Sequence, residues 1–508
     1  MPISAQRLPG SGASYDLLVI GGGITGAGIA RDAALRGLHV LLVEKDDFAG
    51  GTSSRSSRLI HGGLRYLEHG QVRLVFEASA ERRRLLRLAP HLVRPLRFVW
   101  PVYDGARVPF WEVVAGVTLY DALAVFRNVH RHRRLSAAGV EAEEPAVARS
   151  GLRGGVSYYD AATDDARLTL TNVLDAERAG ATVLNHVAVQ GLLEDRGRVT
   201  GARLVDRLAG AEVEIAARAT VNATGPWSDA VRRLEGAGAR PRVRGSKGAH
   251  ILVPQARVGN RAALTLLSPT DGRVMFALPA GEFTIFGTTD TFTDASPDEV
   301  RASEDDVAYL LRAANAFFPA GRLERGDVVS AWAGIRPLVV TSAESPSAAS
   351  REHAIETTPA GVVTITGGKL TTYRIMARQV VDLVARRIGA GRPCITAHVP
   401  LPDDRPDRDA ACAADARAGE RIIPELEWRW GELRWAVEKA HARTLGDLLI
   451  RRTKLAFETR DHGLAVSAPA AEYVAPLLGW DDAAVRTEVQ RYSAEVARVF
   501  AVDAGSGV

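Results

Sequence analysis

Cysteine is the scarcest chemistry in this chain. Only Cys394 and Cys412 occur among 508 residues, and no Cys-x-x-Cys is present. That argues against a zinc or iron–sulfur centre and suits a reducing cytosol, with one disulfide left open. No long apolar run is present either. VVAGVTLYDALAVF (113–126) comes nearest, is interrupted by Asp121, and falls short of the ~20 residues a spanning helix needs. The first 14 residues, MPISAQRLPGSGAS, lack an apolar core of the signal-peptide kind and read as a loose arm. Charge is nearly balanced, 64 Lys and Arg against 60 Asp and Glu. A net +4 without interleaved aromatic and basic residues argues against nucleic acid as a partner and is compatible with anionic substrates. There is no calcium loop of the D-x-[DN]-x-[DN]-G type, no internal repeat and no long low-complexity segment.

What is present is ordinary globular composition, 46% apolar and 24% charged, in a chain long enough for two or three domains. YDLLVI (15–20) reads as a buried strand, AGIARDAALRG (27–37) as a helix and HVLLVE (39–44) as a second strand. That is a βαβ unit opening a parallel sheet. Residues 73–100 read as an Arg-rich helix, 245–290 as alternating strands, and 304–318 as a helix followed by a strand around 327–335. GVVTITGGKLTTYRIMARQVVDLVARRI (361–388) repeats the order strand, Gly-Gly, helix. After the proline-rich stretch at 392–409 the pattern is mostly helical.

Gly21, Gly23 and Gly26 form G-x-G-x-x-G between the first strand and its helix. The first glycine permits the tight turn, the second lets a pyrophosphate approach the backbone, and the third lets helix pack on strand. Glu44 closes the second strand 18 residues after Gly26, where a carboxylate accepts hydrogen bonds from ribose hydroxyls and repels a 2′-phosphate. A glycine-rich turn beside a surface Glu is the plainer reading, and the strand–helix context favours dinucleotide binding over it. The next segment decides between dinucleotides. SSRSSRLIHGGLRYLEHG (53–70) is crowded with hydroxyls, arginines and backbone turns suited to a large polar ligand rather than to another crossover. Two further glycine turns follow, in ATGPW (223–227) and TGGKLTTYR (366–374). The second presents a helix N-terminus and Lys369, a suitable partner for the negative charge of a reduced flavin. Together these favour FAD over NAD.

The strings YDLLVIGGGITGAGIARDAALRGLHVLLVE, TSSRSSRLIHGGLRYLE, VNATGPW, KGAHILVP, IFGTTD, AGIRPL and GGKLTTYR, with LRWAVEKAHARTLGDLLIRRTKLAF (433–457), resemble the FAD-dependent, respiratory-type glycerol-3-phosphate dehydrogenases from about Tyr15 to Thr459. The resemblance implies an α/β (α+β overall) fold: an FAD-binding Rossmann-like domain of the amine-oxidase/glutathione-reductase type, a mixed-sheet substrate domain and a C-terminal helical cap. The expected boundaries are an arm at 1–14, a discontinuous FAD domain at 15–95, 155–240 and 350–391, a substrate and membrane-facing domain at 96–154 and 241–349, and the cap at 392–508. The implied cofactor contacts are Lys45, Thr52, Ser53, Ser57, Arg58, Leu59, Ile60, His61, Gly62 and Gly63, then Ala188 and Val189, then Ala223, Thr224, Gly225 and Trp227, and last Gly367, Gly368, Lys369, Leu370, Thr371 and Thr372. Arg65 and Tyr66 reach the substrate in this reading.

The implied reaction oxidises sn-glycerol 3-phosphate to dihydroxyacetone phosphate, with hydride passing from C2 to flavin N5 and electrons on to membrane quinone. A phosphate dianion needs fixed cations. Arg336 is the first choice because it follows an apolar strand and precedes a proline; Arg65 is second and Arg374 third. A histidine suits the alcohol proton, with His250 of KGAHILVP and His61 as rivals. Phe110, Trp111 and Tyr120, followed by RNVHRHRR (127–134), read as an interfacial helix on an anionic membrane surface at the cytoplasmic side. The alternative is a subunit or domain contact with a solvated basic edge, a homodimer face being one such contact. ERRRLLRLAP (81–90) reads as a solvated helix face. Rival functions are a glycerol-3-phosphate oxidase using O₂, a 2-hydroxy-acid or amino-acid oxidoreductase, and a flavin-holding protein without catalysis.

Overall fold

Leu17, Leu18 and Val19 are fully buried, so the first strand, Ser14–Ile20, has both faces covered. Parallel sheets place that demand on their strands. The computed structural model describes residues 8–124, 129–236, 241–339 and 352–505; the first half of the expected arm therefore lies outside the described residues. Ser14–Ile20 pairs in parallel with Val40–Val43 on one side and Glu212–Asn222 on the other. Thr182–Leu184 and Val363–Gly367 extend the parallel array outward, and His353–Thr357 closes one edge antiparallel. Alternate residues serve the two faces. Leu17, Val19, Val40 and Leu42 pack with the helical side, where Ile24–Leu35 lies against Asp165–Arg178 and Tyr373–Ile388. Leu18, Ile20, Leu41 and Val43 pack beneath the hairpin Val187–Asp195/Arg198–Asp206.

The second sheet has ten strands, most of them antiparallel. Val243–Pro254 is its axis, pairing with Ser330–Val339 and with Phe283–Gly287. Its far end is the two-residue strand Leu59–Ile60, which comes from the loop after the glycine turn. That loop is one of the chain's crossings between the dinucleotide half and the antiparallel half. The C-terminal region is helical, including Trp430–Lys439, Leu464–Leu478 and Asp482–Phe500, and its Trp435, Leu448 and Phe457 share one core with Trp332 of the second sheet.

The mixed α/β architecture with a helical C-terminal region is the one expected. One element differs. The helix expected over 73–100 ends at Leu88, and Arg94–Tyr103 is a strand paired with Leu152–Ala162. Pro90 and Pro95 break the helical ladder there, and the residues that follow, RFVWPVY, are largely aromatic or β-branched, which suits a strand.

Candidate active site

The glycine turn is shaped by contact. Gly21 has φ +107°, and a Cβ there would stand 2.8 Å from the Ala223 carbonyl oxygen. At Gly26 a Cβ would stand 1.8 Å from the Gly21 oxygen, so this glycine is what lets the helix sit on the strand. The helix Ile24–Leu35 begins at Gly23 with no capping from the N-cap side chain. Instead Ile24 N–H donates to Ser53 Oγ at 2.9 Å. Glu44 accepts from Gly22 N–H at 2.7 Å and from Asp46 N–H at 3.0 Å, and burial raises its pKa above the ordinary value.

A cavity of about 600 Å³ opens from this turn. Of the expected contacts, Gly21, Gly23, Glu44, Lys45, Thr52, Ser53, Ser57, Leu59, His61, Ala188, Val189, Ala223, Thr224, Gly225, Trp227, Gly367, Gly368, Lys369 and Leu370 line it, as do Arg65, Tyr66, His250 and Arg336. Seven expected contacts stand behind the wall. Gly26 packs the helix, Ile60 is in the core, and Thr372 donates to the Lys369 carbonyl. Gly63 is left-handed, and any side chain on it would collide with the Tyr66 ring. Thr371 Oγ1 accepts from His61 N–H at 3.0 Å and donates to the His61 carbonyl at 3.2 Å, so it holds the loop rather than facing the cavity. Gly62 N–H donates to Asp160 at 3.2 Å. Arg58 stacks over Trp332 and Phe457, between the second sheet and the cap.

The second sheet brings His250 and Arg336 to one end of the cavity. His250 Nε2 lies 2.9 Å from Ser57 Oγ, and the ring stacks on Trp332 at 5.4 Å. Gly287 must lack a side chain, since a Cβ would stand 2.1 Å from His250 Cδ2; Gly248 does the same for the Arg336 guanidinium at 2.3 Å. Arg336 is held from behind by Asp290 at 3.1 Å and Thr288 Oγ1 at 2.9 Å, while a quarter of its side chain stays open. Ser246 Oγ donates to Asp290 as well. Nearby, Lys369 Nζ sits 3.6 Å above the Tyr66 ring, and Arg65 donates to Tyr66 Oη at 3.4 Å. Burial, then Arg336 and Arg58, push His250 down to about 3; burial, then Lys369, Arg65 and Arg82, push His61 down to about 3. Both imidazoles are therefore neutral at pH 7, and each is a weaker proton acceptor than an ordinary histidine until the positive charge around it is offset.

Three sequence expectations change. Arg374 makes no phosphate clamp: it is 4% exposed and donates to both oxygens of Glu81 at 2.7 Å. The stretch from Glu81 is not a solvated face, because Glu81 and Arg82 are buried and Arg82 pairs with Asp160. Tyr120 is no membrane anchor either; it is fully buried and donates to Asp160 at 2.7 Å. Trp111 is exposed, Phe110 is half-buried, and Arg127 lies outside the described residues. Sequence reasoning missed Asp290, Ser246 and Thr288 behind Arg336, Asp160 behind the His61–Gly62 loop, and Arg55 in the cavity wall. Asp290 lies in the quoted string IFGTTD, the one local signal available for it.

The donor set fits FAD. The glycine cradle leaves no room for side chains, the helix N-terminus faces the cavity beside a hydroxyl, and Glu44 ends its strand at the expected ribose position. Residues 16–383 match the family model described as FAD dependent oxidoreductase, and residues 407–485 match the C-terminal domain of alpha-glycerophosphate oxidase. The protein is thus an FAD-dependent oxidoreductase. A glycerol-3-phosphate dehydrogenase of Synechocystis sp. is 38% identical over 94% of this chain and 96% of its own. Glycerol-3-phosphate dehydrogenase 2 of Mycobacterium tuberculosis is 38% identical over 95% of this chain and 88% of its own. The FAD complex of the Bacillus halodurans glycerol-3-phosphate dehydrogenase superposes with a TM-score of 0.78 at 31% identity, covering 96% of this chain and 95% of that one. The chain belongs to the FAD-dependent glycerol-3-phosphate dehydrogenase family.

Proposed function

We propose that the protein oxidises sn-glycerol 3-phosphate to dihydroxyacetone phosphate and delivers the electrons to a membrane quinone. The observation that carries this reading is the convergence of Arg336, Arg65, Lys369 and a neutral His250 at one end of the cavity. FAD, when bound, supplies the two-electron acceptor. The rest of the chemistry falls to the chain. Arg336, braced by Asp290 and Thr288, presents a planar fork to the phosphate, and Arg65 adds a second cation. His250 takes the C2 hydroxyl proton at Nε2, next to Ser57 Oγ. The substrate's own dianion assists, because it offsets the Arg336 charge that helps keep the free imidazole's pKa low. Gly248 and Gly287 hold these two side chains at their angle by leaving space for them.

Quinone as acceptor rests on the surface. Val72 and Phe76 are exposed on the helix Val72–Leu88, and Trp111 and Leu119 on Phe110–Leu123, which packs against it. No helix among the described residues is long and apolar enough to cross a membrane. These exposed side chains, with the basic residues around Arg131, suit docking onto the inner, anionic face of a cell membrane. The test is anaerobic. Glycerol 3-phosphate is added to the yellow holoenzyme, flavin absorbance is followed, and either oxygen or quinone in anionic vesicles is then supplied. Bleaching, fast quinone reoxidation and slow oxygen reaction are expected, with the quinone step slowed in Trp111→Ser. Fast oxygen reoxidation with peroxide would make the protein an oxidase. Absence of bleaching would remove glycerol 3-phosphate as substrate and bring forward a 2-hydroxy acid or amino acid.

A further inference from the structure

Arg55 is a buried cation of the cavity wall that the reaction above does not use. It follows the short 3₁₀ turn Thr52–Ser54 and is 7% exposed. Its only hydrogen bond among the described residues is a long one, Nη1 to the Ala333 carbonyl at 3.5 Å. No carboxylate among the described residues forms an ion pair with it. The charges that bear on it are repulsive first: Arg498 and Arg451, ahead of Glu495 and Asp46. Those two acids are engaged elsewhere. Glu495 takes Arg451 at 2.8 Å, and Asp46 takes Arg207 and lies 3.9 Å from Lys45. Burying a guanidinium among other cations is strongly unfavourable unless an anion completes the site.

The wall beside it says which anion. Two residues upstream, Ser53 Oγ receives Ile24 N–H at the uncapped start of the twelve-residue helix Ile24–Leu35. A helix N-terminus and a lone buried cation in one cavity wall ask for the same negative ligand. Arg55 packs on the strand that carries Arg336, with Nη1 on the Ala333 carbonyl and its Cβ against Gly334, but their charged neighbours differ: Asp290 pairs with Arg336 and bears on Arg65, whereas the charges around Arg55 include Asp46 in the loop after Glu44. We propose that Arg55 is a ligand of the FAD diphosphate.

The proposal rests on the FAD assignment and is tested without activity. The rate at which FAD leaves the diluted holoenzyme is read as recovery of free-flavin fluorescence. Arg55→Gln is expected to speed release about 10-fold or more, the scale of a hydrogen bond to a charged group. Arg55→Lys, which keeps charge and bulk, is expected to fall between the two and carries the test alone if the Gln variant does not fold. The KM for glycerol 3-phosphate with FAD in excess is expected to stay unchanged. Unchanged FAD release with a raised KM would assign Arg55 to the substrate phosphate instead. Unchanged release and unchanged KM would leave it a structural cation. Either result overturns the proposal while leaving the FAD assignment intact.

Discussion

Arg452 donates twice to Asp47 and once to the Ala440 carbonyl, and its side chain is 2% exposed. Its neighbour Arg451 reaches Asp47, Asp447 and Glu495. Arg336, in the second sheet, pairs with Asp290 among the described residues and keeps 25% of its side chain open toward the cavity. The histidines follow the same division. His186 lies 2.9 Å from Asp447. Burial lowers its pKa, but Asp447 outweighs burial and the net shift is upward. His250 and His61 face arginines and lysine and go down to about 3. Both regions are rich in buried arginine; among the described residues only the cap cluster has carboxylates enough to match. A cluster whose charges close among themselves joins parts of the fold, here the cap to the loop after Glu44. A cluster short of anions binds one. The same count argues against reading Asp47, His186 and Asp447 as a metal centre, although their ligand atoms lie within 4.8 Å of one another. Two guanidiniums already occupy those carboxylates.

The sharpest way to break the comparison is to unbalance the closed cluster. Asp47→Ala would leave Arg451 and Arg452 without their shared acid and is expected to cost about 3–5 kcal/mol of stability. A shifted urea midpoint with an unchanged KM in the folded fraction would show it. A normal midpoint would mean the cluster is not structural. Arg336→Ala should do the opposite. It is expected to raise KM by about 10- to 100-fold, as losing a charged hydrogen bond does, with FAD retained and the midpoint little moved. Unchanged kinetics would remove its phosphate role.

The smallest effect is pH dependence, and its two arms have opposite sign. His250 and His61 bind fewer protons folded than unfolded between about pH 6.5 and 3. Their contribution to stability is therefore complete above pH 6.5 and lost as pH falls. His186, raised, contributes fully below the ordinary histidine pKa and loses that contribution as pH rises through its folded value. Unfolding midpoints across pH 5 to 8 should show a shallower acid decline in His250→Gln and a shallower alkaline decline in His186→Gln. Parallel curves for both variants would erase the distinction.

The legible part of the site was local. The glycine turn needs residues five apart, Glu44 ends the next strand, and Arg336 and His250 stand at recognisable points of apolar strands. What was illegible depends on register between distant strands. Asp290 braces Arg336 because Val243–Pro254 pairs on one side with Ser330–Val339 and on the other with Phe283–Gly287 and Thr291–Thr293, which flank Asp290. Arg82 and Tyr120 look like surface residues of amphipathic helices until Leu152–Ala162 brings Asp160 beneath both. Arg374 follows the glycine-lysine turn and ranked third among the phosphate-binding arginines, yet Glu81 from a remote helix claims it. Pairing of this kind leaves no mark on either segment alone.

The two-residue strand Leu59–Ile60 has a consequence for assembly. Its partner on Leu152–Ala162 is synthesised about a hundred residues later, and Val363–Gly367 joins Glu212–Asn222 later still. The nascent chain therefore carries its glycine turn long before the sheet around it is complete. Val363–Gly367 ends at the Gly-Gly turn before Lys369, so the last parallel strand to emerge is also the one that finishes the cavity wall. Closure of the nucleotide site is accordingly a late event in the birth of the chain, even though its signature is among the first residues made.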